Sequence, residues 1–427
     1  MRITLFIIYN LFLYPSFLLI TLFLSIFNSK IRRGIKGRFQ TKNILIKYFN
    51  QEFSNKVIYW FHASSYGEYL QIEPIINILK EKKVNSVVLL SFFSPSGYDN
   101  VNNKNVDCKV YMPFDFYWTM QNTLKLVKPN KIIFATTDLW YNFFWSSINR
   151  NIDTILIGAK SKSYFNKNFS ILNYVYKPIY KSITKIITIN DNDRLQIEKF
   201  IGKNKSKRIF TLGNPRFDQV IEVSKKLNND KKKPIQERDD IIMFASMHSE
   251  DRNIVLSKMI KYMGSHKKNQ IIWVPHEPND QENKYIESMF NRNDISVRVI
   301  NSIQSFDNDD SRVKIINLVG VLSKLYWKVK LAYIGGGFST GVHNLMEPSV
   351  AGVPTVFGPN YHDFREAVDI INNKAGFCVK NGLDLIKIID KYIDDNQELG
   401  IASNAAIQLV KNNAGSANNI VDEIKSD

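Results

Sequence analysis

The chain has 427 residues, 44% of them hydrophobic, and a formal net charge of +17 at pH 7. That length exceeds one ordinary core, so two domains are expected, and the apolar fraction excludes general disorder. The positive charge is not joined by zinc-ligand spacing or an RNP-like aromatic motif, so no nucleic-acid partner is expected; an anionic membrane surface and the lysine-rich usage of an AT-rich genome account for it.

From Ile3 to Ser29 the chain carries no formal charge over 27 residues, and Leu, Ile and Phe dominate. About 20 apolar residues suffice to cross a hydrocarbon core. The run ends Phe27-Asn28-Ser29-Lys30, without the small-residue site of a cleaved leader. A retained single-pass transmembrane helix over residues 1–29 is expected. Lys30, Arg32, Arg33, Lys36 and Arg38 follow it. By the positive-inside rule they put the body of the protein in the cytoplasm, at the inner membrane. Each would add on the order of 1 kcal/mol of attraction to anionic lipid.

Beyond the anchor, short apolar runs alternate with helical segments. Val57–Phe61, Ser86–Ser91, Lys131–Ala135, Thr154–Gly158 and Lys185–Ile189 read as buried strands. A charged stretch from Lys225 to Asp240, containing Pro234, reads as a linker. The pattern then restarts with Ile241–Ala245, Gln270–Val274, Leu331–Ile334 and Pro354–Phe357. This predicts α/β architecture with parallel sheets: an anchor over 1–29, a first domain over 30–220 and a second over 221–427. Ligands of such sheets bind beyond the carboxyl ends of strands, so two Rossmann-like domains facing a cleft are expected. Cys108 and Cys378 lie far apart in sequence and suggest neither a disulfide framework nor a metal-ligand pair.

Several polar segments follow strands. Phe61-His62-Ala63-Ser64-Ser65-Tyr66-Gly67-Glu68 joins a strand to a helix and places Glu68 in the first turn, beside Gly67. A carboxylate there suits a general base for sugar transfer to a hydroxyl, and equally suits plain stabilisation of a helix N-terminus. His62 reads as a packed histidine. Ala245-Ser246-Met247-His248 and Val274-Pro275-His276-Glu277-Pro278 follow two strands of the second half. Each suits phosphate binding or ordinary turn and cap chemistry. The densest block is Gly335-Gly336-Gly337, continuing through His343-Asn344 to Glu347-Pro348. A glycine turn lets a ligand approach the backbone, and a helix starting near His343-Asn344 would offer N–H donors to a phosphate. Glu347 would then accept two ribose hydroxyls. No carboxylate pair suggests a metal site, and no cofactor is expected. Gly358-Pro359-Asn360 reads as a turn that would line the same cleft as Glu347.

In order, these motifs resemble the 3-deoxy-D-manno-octulosonic acid (Kdo) transferases of lipopolysaccharide synthesis, membrane-anchored inverting GT-B enzymes that use CMP-Kdo and a lipid A precursor. The resemblance rests on Trp60 through Glu68, the Ser94–Gly97 loop, Pro113-Phe114-Asp115 and Thr137-Asp138-Leu139-Trp140-Tyr141-Asn142. Further on it rests on Gly213-Asn214 through Phe217-Asp218, Ala245-Ser246 with His248, and the glycine block. It implies Glu68 as general base. It implies that CMP is contacted by Ser246, the turn of Gly335, Gly336 and Gly337, Asn344 and Glu347; His276 and His343 are added as donor-site candidates. Ser65, Gly67, Ser94, Ser96, Asp138 and Lys160 become acceptor or cleft candidates. The chain departs from the family at His276, where an arginine is usual, at Thr136, where a carboxylate is common, and at Gly158-Ala159-Lys160 in place of Asn-Ala-Arg. Two other readings fit the residues: a membrane-associated GT-B transferase using a UDP-sugar, and a non-catalytic lipid- or nucleotide-binding protein on the same fold.

Overall fold

The computed structural model describes residues 3–51, 53, 55–82, 85–136, 139–162, 165, 171–202, 207–227 and 233–426. The apolar runs form β1 (Val57–Ala63), β2 (Ser86–Phe92), β3 (Cys108–Tyr111), β4 (Lys131–Ala135), β5 (Asp153–Ala159), β6 (Lys185–Thr188) and β7 (Ile209–Thr211). They make one parallel seven-stranded sheet in the order β3-β2-β1-β4-β5-β6-β7. The second sheet holds β8 (Ile241–Met247), β9 (Gln270–Pro275), β10 (Val297–Ile300), β11 (Val313–Ile316), β12 (Leu331–Ile334), β13 (Thr355–Phe357) and β14 (Gly376–Cys378). Its order is β10-β11-β9-β8-β12-β13-β14, again parallel. Strands covered by helices on both faces are apolar along their whole length, which is why β1, β2 and β8 read as near-continuous hydrophobic runs. In β1, Tyr59, Trp60 and Phe61 are fully buried. The Trp60 indole donates to Ser91 Oγ at 2.8 Å, and His62 Nδ1 meets the same oxygen at 2.9 Å. His62 is therefore a satisfied core histidine.

The described chain divides into two compact units, Met1–Gln219 with Gly415–Asp427, and Val220–Ala414. The chain passes from the first unit to the second near residue 220 and returns to the first at Gly415. The expected second domain ran to 427, yet the last helix, Ser416–Lys425, covers the first sheet. Ala417, Ile420, Val421 and Ile424 fall on one face and enter the core that contains Tyr69, Ile72 and Val88. Asp218 fixes the start of that helix by accepting from the N–H groups of Gly415 and Ala417 at 2.6 and 2.9 Å. Lys131 Nζ donates to Ile424 O at 2.7 Å near its end.

The uncharged N-terminal run is one helix, Ile3–Phe27, of 25 residues. A π-helical turn, Tyr9–Leu13, precedes Pro15, and the Tyr14 N–H donates to Tyr9 O. Proline cannot donate to the helix ladder and crowds the preceding turn; the wider turn accommodates both effects. Asn28 ends the helix and caps the next one, Ser29–Phe49, by accepting from the N–H groups of Lys30 and Ile31 at 2.9 and 3.2 Å. The expected free anchor is only half free. Tyr9 Oη donates to Asp115 Oδ2 at 2.7 Å, Asn10 and Asn142 exchange side-chain hydrogen bonds at 3.1 and 2.9 Å, and the Tyr14 hydroxyl accepts from the Asp115 N–H at 2.7 Å. Asp115 and Asn142 are fully buried, and the two chain segments close over them.

Candidate active site

In an open parallel sheet, the loops leaving two adjacent strands part company where the strand order reverses, and a ligand fits the resulting crevice. In the first sheet that point lies between β1 and β4; in the second it lies between β8 and β12. Ser64–Glu68 leaves β1, Ser246–His248 leaves the end of β8, and the glycine block leaves β12, so these motifs border the two points.

After β1 the chain turns through Ser64 and Ser65 into the helix Tyr66–Lys82. Glu68 is half-buried in its first turn. Its Oε2 accepts from the Ser64 N–H at 2.6 Å, while its own N–H donates to Ser65 Oγ at 3.4 Å. This reciprocal arrangement is close to a capping box and satisfies donors that the helix leaves unpaired. Gly67 is exposed, and a Cβ there would meet nothing nearer than Ser65 Oγ at 3.9 Å. The loop after β2 is tied to the same end of the sheet, because the Ser94 N–H donates to Ser64 O at 2.7 Å. Ser94 Oγ accepts from the Ser96 N–H and lies 3.1 Å from Ser96 Oγ, so Ser94 caps the short helix Pro95–Asn100 and Ser96 sits in its first turn. Lys160 is exposed just past β5. Lys162, which the sequence reading passed over, lies within electrostatic reach of Glu68. Burial and the nearby Lys160 push its pKa down, and Glu68 opposes them. Asp138 lies outside the described residues; Thr136, two positions before it, has φ 58°.

In the second unit β8 ends with Ser246 in the left-handed region, φ 55°. A non-glycine residue held there marks a backbone fixed by its surroundings. The neighbour that fixes it is the glycine turn after β12. A Cβ on Gly335 would stand 2.2 Å from Ser246 O, and one on Gly337 would stand 2.4 Å from Gly358 N. The Gly358-Pro359-Asn360 turn does pack on this block, with the Asn360 N–H donating to Gly337 O at 2.9 Å.

Two expectations for this block need correction. The helix does not begin at His343-Asn344; it is the five-residue Met346–Val350, too short to offer a phosphate an N-terminal dipole. Asn344 precedes it, accepting from the Met346 N–H at 3.0 Å and donating to Glu347 Oε1 at 2.9 Å. Nor are the first glycine N–H groups open to a ligand. Gly335 donates to Ala245 O at 2.8 Å, and Gly336 donates to Asp251 Oδ2 at 2.7 Å. Asp251, fully buried in the helix Ser249–Ser265, also accepts from the Tyr333 hydroxyl at 2.8 Å. It is the residue that shapes the turn, and in sequence it looks like any acidic residue of a first helical turn. Asp251→Ala would strand two buried donors at about 1–3 kcal/mol each. A thermal melt of the purified variant should therefore fall by several degrees; an unchanged melting temperature would remove Asp251 from this role.

Three loops from the adjacent strands β9, β8 and β12 bring together His276, His248 and His343. His248 Nε2 and His343 Nε2 lie 2.7 Å apart with ring centroids 4.9 Å apart, so these rings meet edge to edge and share one proton. The His276 ring lies 4.4 and 4.5 Å from the other two and is tilted from them by only 26° and 21°. Burial, then the like charges of His276 and His248, lower the His343 pKa to about 4. His276 is lowered mainly by burial, then by His248, against the pull of Glu277. One nitrogen from each ring falls within 4.8 Å of the others, which is metal-sized. Two nitrogens on one tetrahedral zinc stand about 3.3 Å apart, wider than the close pair. As arranged, the cluster is better suited to presenting N–H donors to an anion.

Residues 34–219 match the family model described as 3-deoxy-D-manno-octulosonic-acid transferase (kdotransferase). The 3-deoxy-D-manno-octulosonic acid transferase of Aquifex aeolicus is 26% identical over 348 residues, 80% of this chain and 88% of that one. The transferase of the same name from Chlamydophila psittaci is 20% identical over 396 residues, 91% of this chain and 89% of that one. In fold, the chain is similar to UDP-GlcNAc 2-epimerase from Neisseria meningitidis, with a TM-score of 0.63 at 13% identity, covering 86% of this chain and 99% of the other. The two parallel sheets give an α/β fold of the GT-B type, and the sequence matches are to glycosyltransferases. The family it resembles is that of the Kdo transferases, and the sequence relatives span both units.

Proposed function

We propose that the protein transfers Kdo from CMP-Kdo to a lipid A precursor of the lipid IVA kind, at the cytoplasmic face of the inner membrane. The observation that carries this reading is the match of residues 34–219 to the Kdo transferase model, within the unit that sets Glu68 at the carboxyl end of β1. An acceptor hydroxyl attacks the anomeric carbon of Kdo from the face opposite the phosphate. Its proton passes to Glu68, the bond to the phosphate oxygen breaks, and CMP leaves with the electron pair. A base at that position is worth about 10²–10⁴ in rate. The departing phosphate needs positive potential. Ser246 and the His248, His276 and His343 cluster supply hydrogen-bond donors at one end of the donor site, and Glu347, aligned by Asn344, takes the ribose hydroxyls at the other. Ser65, Gly67, Ser94, Ser96 and Lys160 line the acceptor side, with Lys162 added to them. The Ile3–Phe27 helix and the basic residues after it hold the enzyme on anionic lipid.

Purified protein should be stabilised against heat by CMP and not by UDP. Stabilisation by UDP alone would replace this reading with the UDP-sugar transferase. The histidine cluster adds a second expectation. Burial lowers the pKa of His343 and of His276, whereas an arginine carries a permanent charge and a planar pair of donors. His276→Arg should therefore tighten CMP binding by about tenfold, the equivalent of one charge-assisted hydrogen bond. Weaker binding in that variant, measured by titration calorimetry, would place the phosphate elsewhere.

A further inference from the structure

The N-terminal helix is long enough to cross a bilayer, but its contacts do not leave it free to do so. Tyr9, Asn10 and Tyr14 are committed to Asp115 and Asn142, whose side chains are fully buried in the first unit. A helix with these residues at the bilayer centre would break every one of those bonds, uncover the Asp115 carboxylate and leave the Asn10 amide and two tyrosine hydroxyls in hydrocarbon. With the first half docked, Pro15–Phe27 remains, about 13 residues and about 20 Å of helix. The hydrocarbon core is about 30 Å thick. At Asn28 the chain turns into the helix Ser29–Phe49, which packs back against the Tyr14–Phe27 segment and against β3. Arg32 ties the turn by donating to Ser25 O and Ile26 O at 2.9 and 2.5 Å.

The outward face of this hairpin is apolar and uncovered: Leu19, Phe23 and Phe27 are 67%, 60% and 75% exposed. Lys30, Arg33 and Lys36 stand exposed on the second helix of the hairpin, Arg33 paired with Asp99 at 3.1 Å. An apolar face bordered by cations matches a single anionic leaflet, with acyl chains against the first and phosphates against the second. Where the hairpin meets the loop after β2, an apolar cavity of about 330 Å³ lies between Phe17, Ile35, Phe93 and Phe114, with Lys30 and Arg38 on its wall.

We infer that the Pro15–Phe27 half of this helix enters one leaflet and does not cross, so that the N-terminus lies on the same side of the membrane as both α/β units. The inference rests on the membrane attachment proposed above, and the two fail in different ways. The test uses the full-length protein in inner-membrane vesicles, with Cys108 and Cys378 replaced by Ser and one cysteine introduced as Ile3→Cys or, for the body, Ser426→Cys. Membranes are washed with carbonate and then labelled with a membrane-impermeant maleimide from either side. The protein should stay with the membrane, and both positions should be labelled from the same side. A second variant pair, Asn10→Cys with Asn142→Cys, should crosslink in the intact membrane. Release of the protein by carbonate would end the attachment reading and this inference with it. Retention with Ile3→Cys labelled only from the side opposite Ser426→Cys would overturn the one-leaflet arrangement alone.

Discussion

Glu68→Gln is expected to lower turnover by at least about a hundredfold while leaving CMP affinity within about twofold of the parent. The substitution is informative because Glu68 carries two roles at once. Its carboxylate accepts from the Ser64 N–H at 2.6 Å and so closes the start of the Tyr66–Lys82 helix. Glutamine keeps an oxygen in that position and can make the same bond. What it loses is the capacity to take the acceptor proton. A fold-only role therefore predicts nearly normal turnover in Glu68→Gln and a loss only in Glu68→Ala. A base predicts that both variants lose turnover and that only the alanine form melts early. Steady-state rates and melting curves of the two variants separate these outcomes.

Glu347→Ala is expected to weaken CMP binding by about tenfold or more. Two charge-assisted hydrogen bonds to ribose hydroxyls are worth roughly 1.5–3 kcal/mol each in a partly buried site, less what water recovers in the free protein. The side chain is half-buried and held by Asn344 Nδ2 at 2.9 Å, so its removal leaves no large cavity. Stability should change little. The parent protein should prefer CMP over 2′-deoxy-CMP, and Glu347→Ala should lose most of that preference. If both proteins discriminate equally, the ribose is held by other residues and the role given to Glu347 is withdrawn.

The inner strands were legible because a strand buried on both faces is apolar at every position, as Val57–Phe61 and Ile241–Ala245 are. Strands absent from the sequence reading are mostly short or lie at sheet edges. β7 and β14 have three residues each, and β10 reads Val-Arg-Val-Ile with Arg298 exposed, so none carries a continuous apolar signal. The spacing of Ala417, Ile420, Val421 and Ile424 marks a helix with one apolar face, but nothing local says which sheet that face covers. The site was legible as separate motifs and not as an arrangement. His248, His276 and His343 meet because β9, β8 and β12 are neighbours, and strand order is a property of the whole fold. Asp251 was hidden for a related reason. Its partners, Gly336 and Tyr333, lie more than 80 positions away in the chain. The uncharged N-terminal run announced a membrane helix, while Tyr9, Asn10 and Tyr14 within it gave no sign of docking until Asp115 and Asn142 were in place.

The central claim is the reaction itself, and mass spectrometry of the lipid product tests it most directly. Tag-free full-length protein in detergent, given CMP-Kdo and a lipid IVA-like precursor, should yield the precursor carrying at least one added Kdo unit, with one CMP released per unit transferred. The same incubation with Glu68→Gln should yield little or none. An unmodified precursor, from protein that is folded and binds CMP, would contradict the assignment.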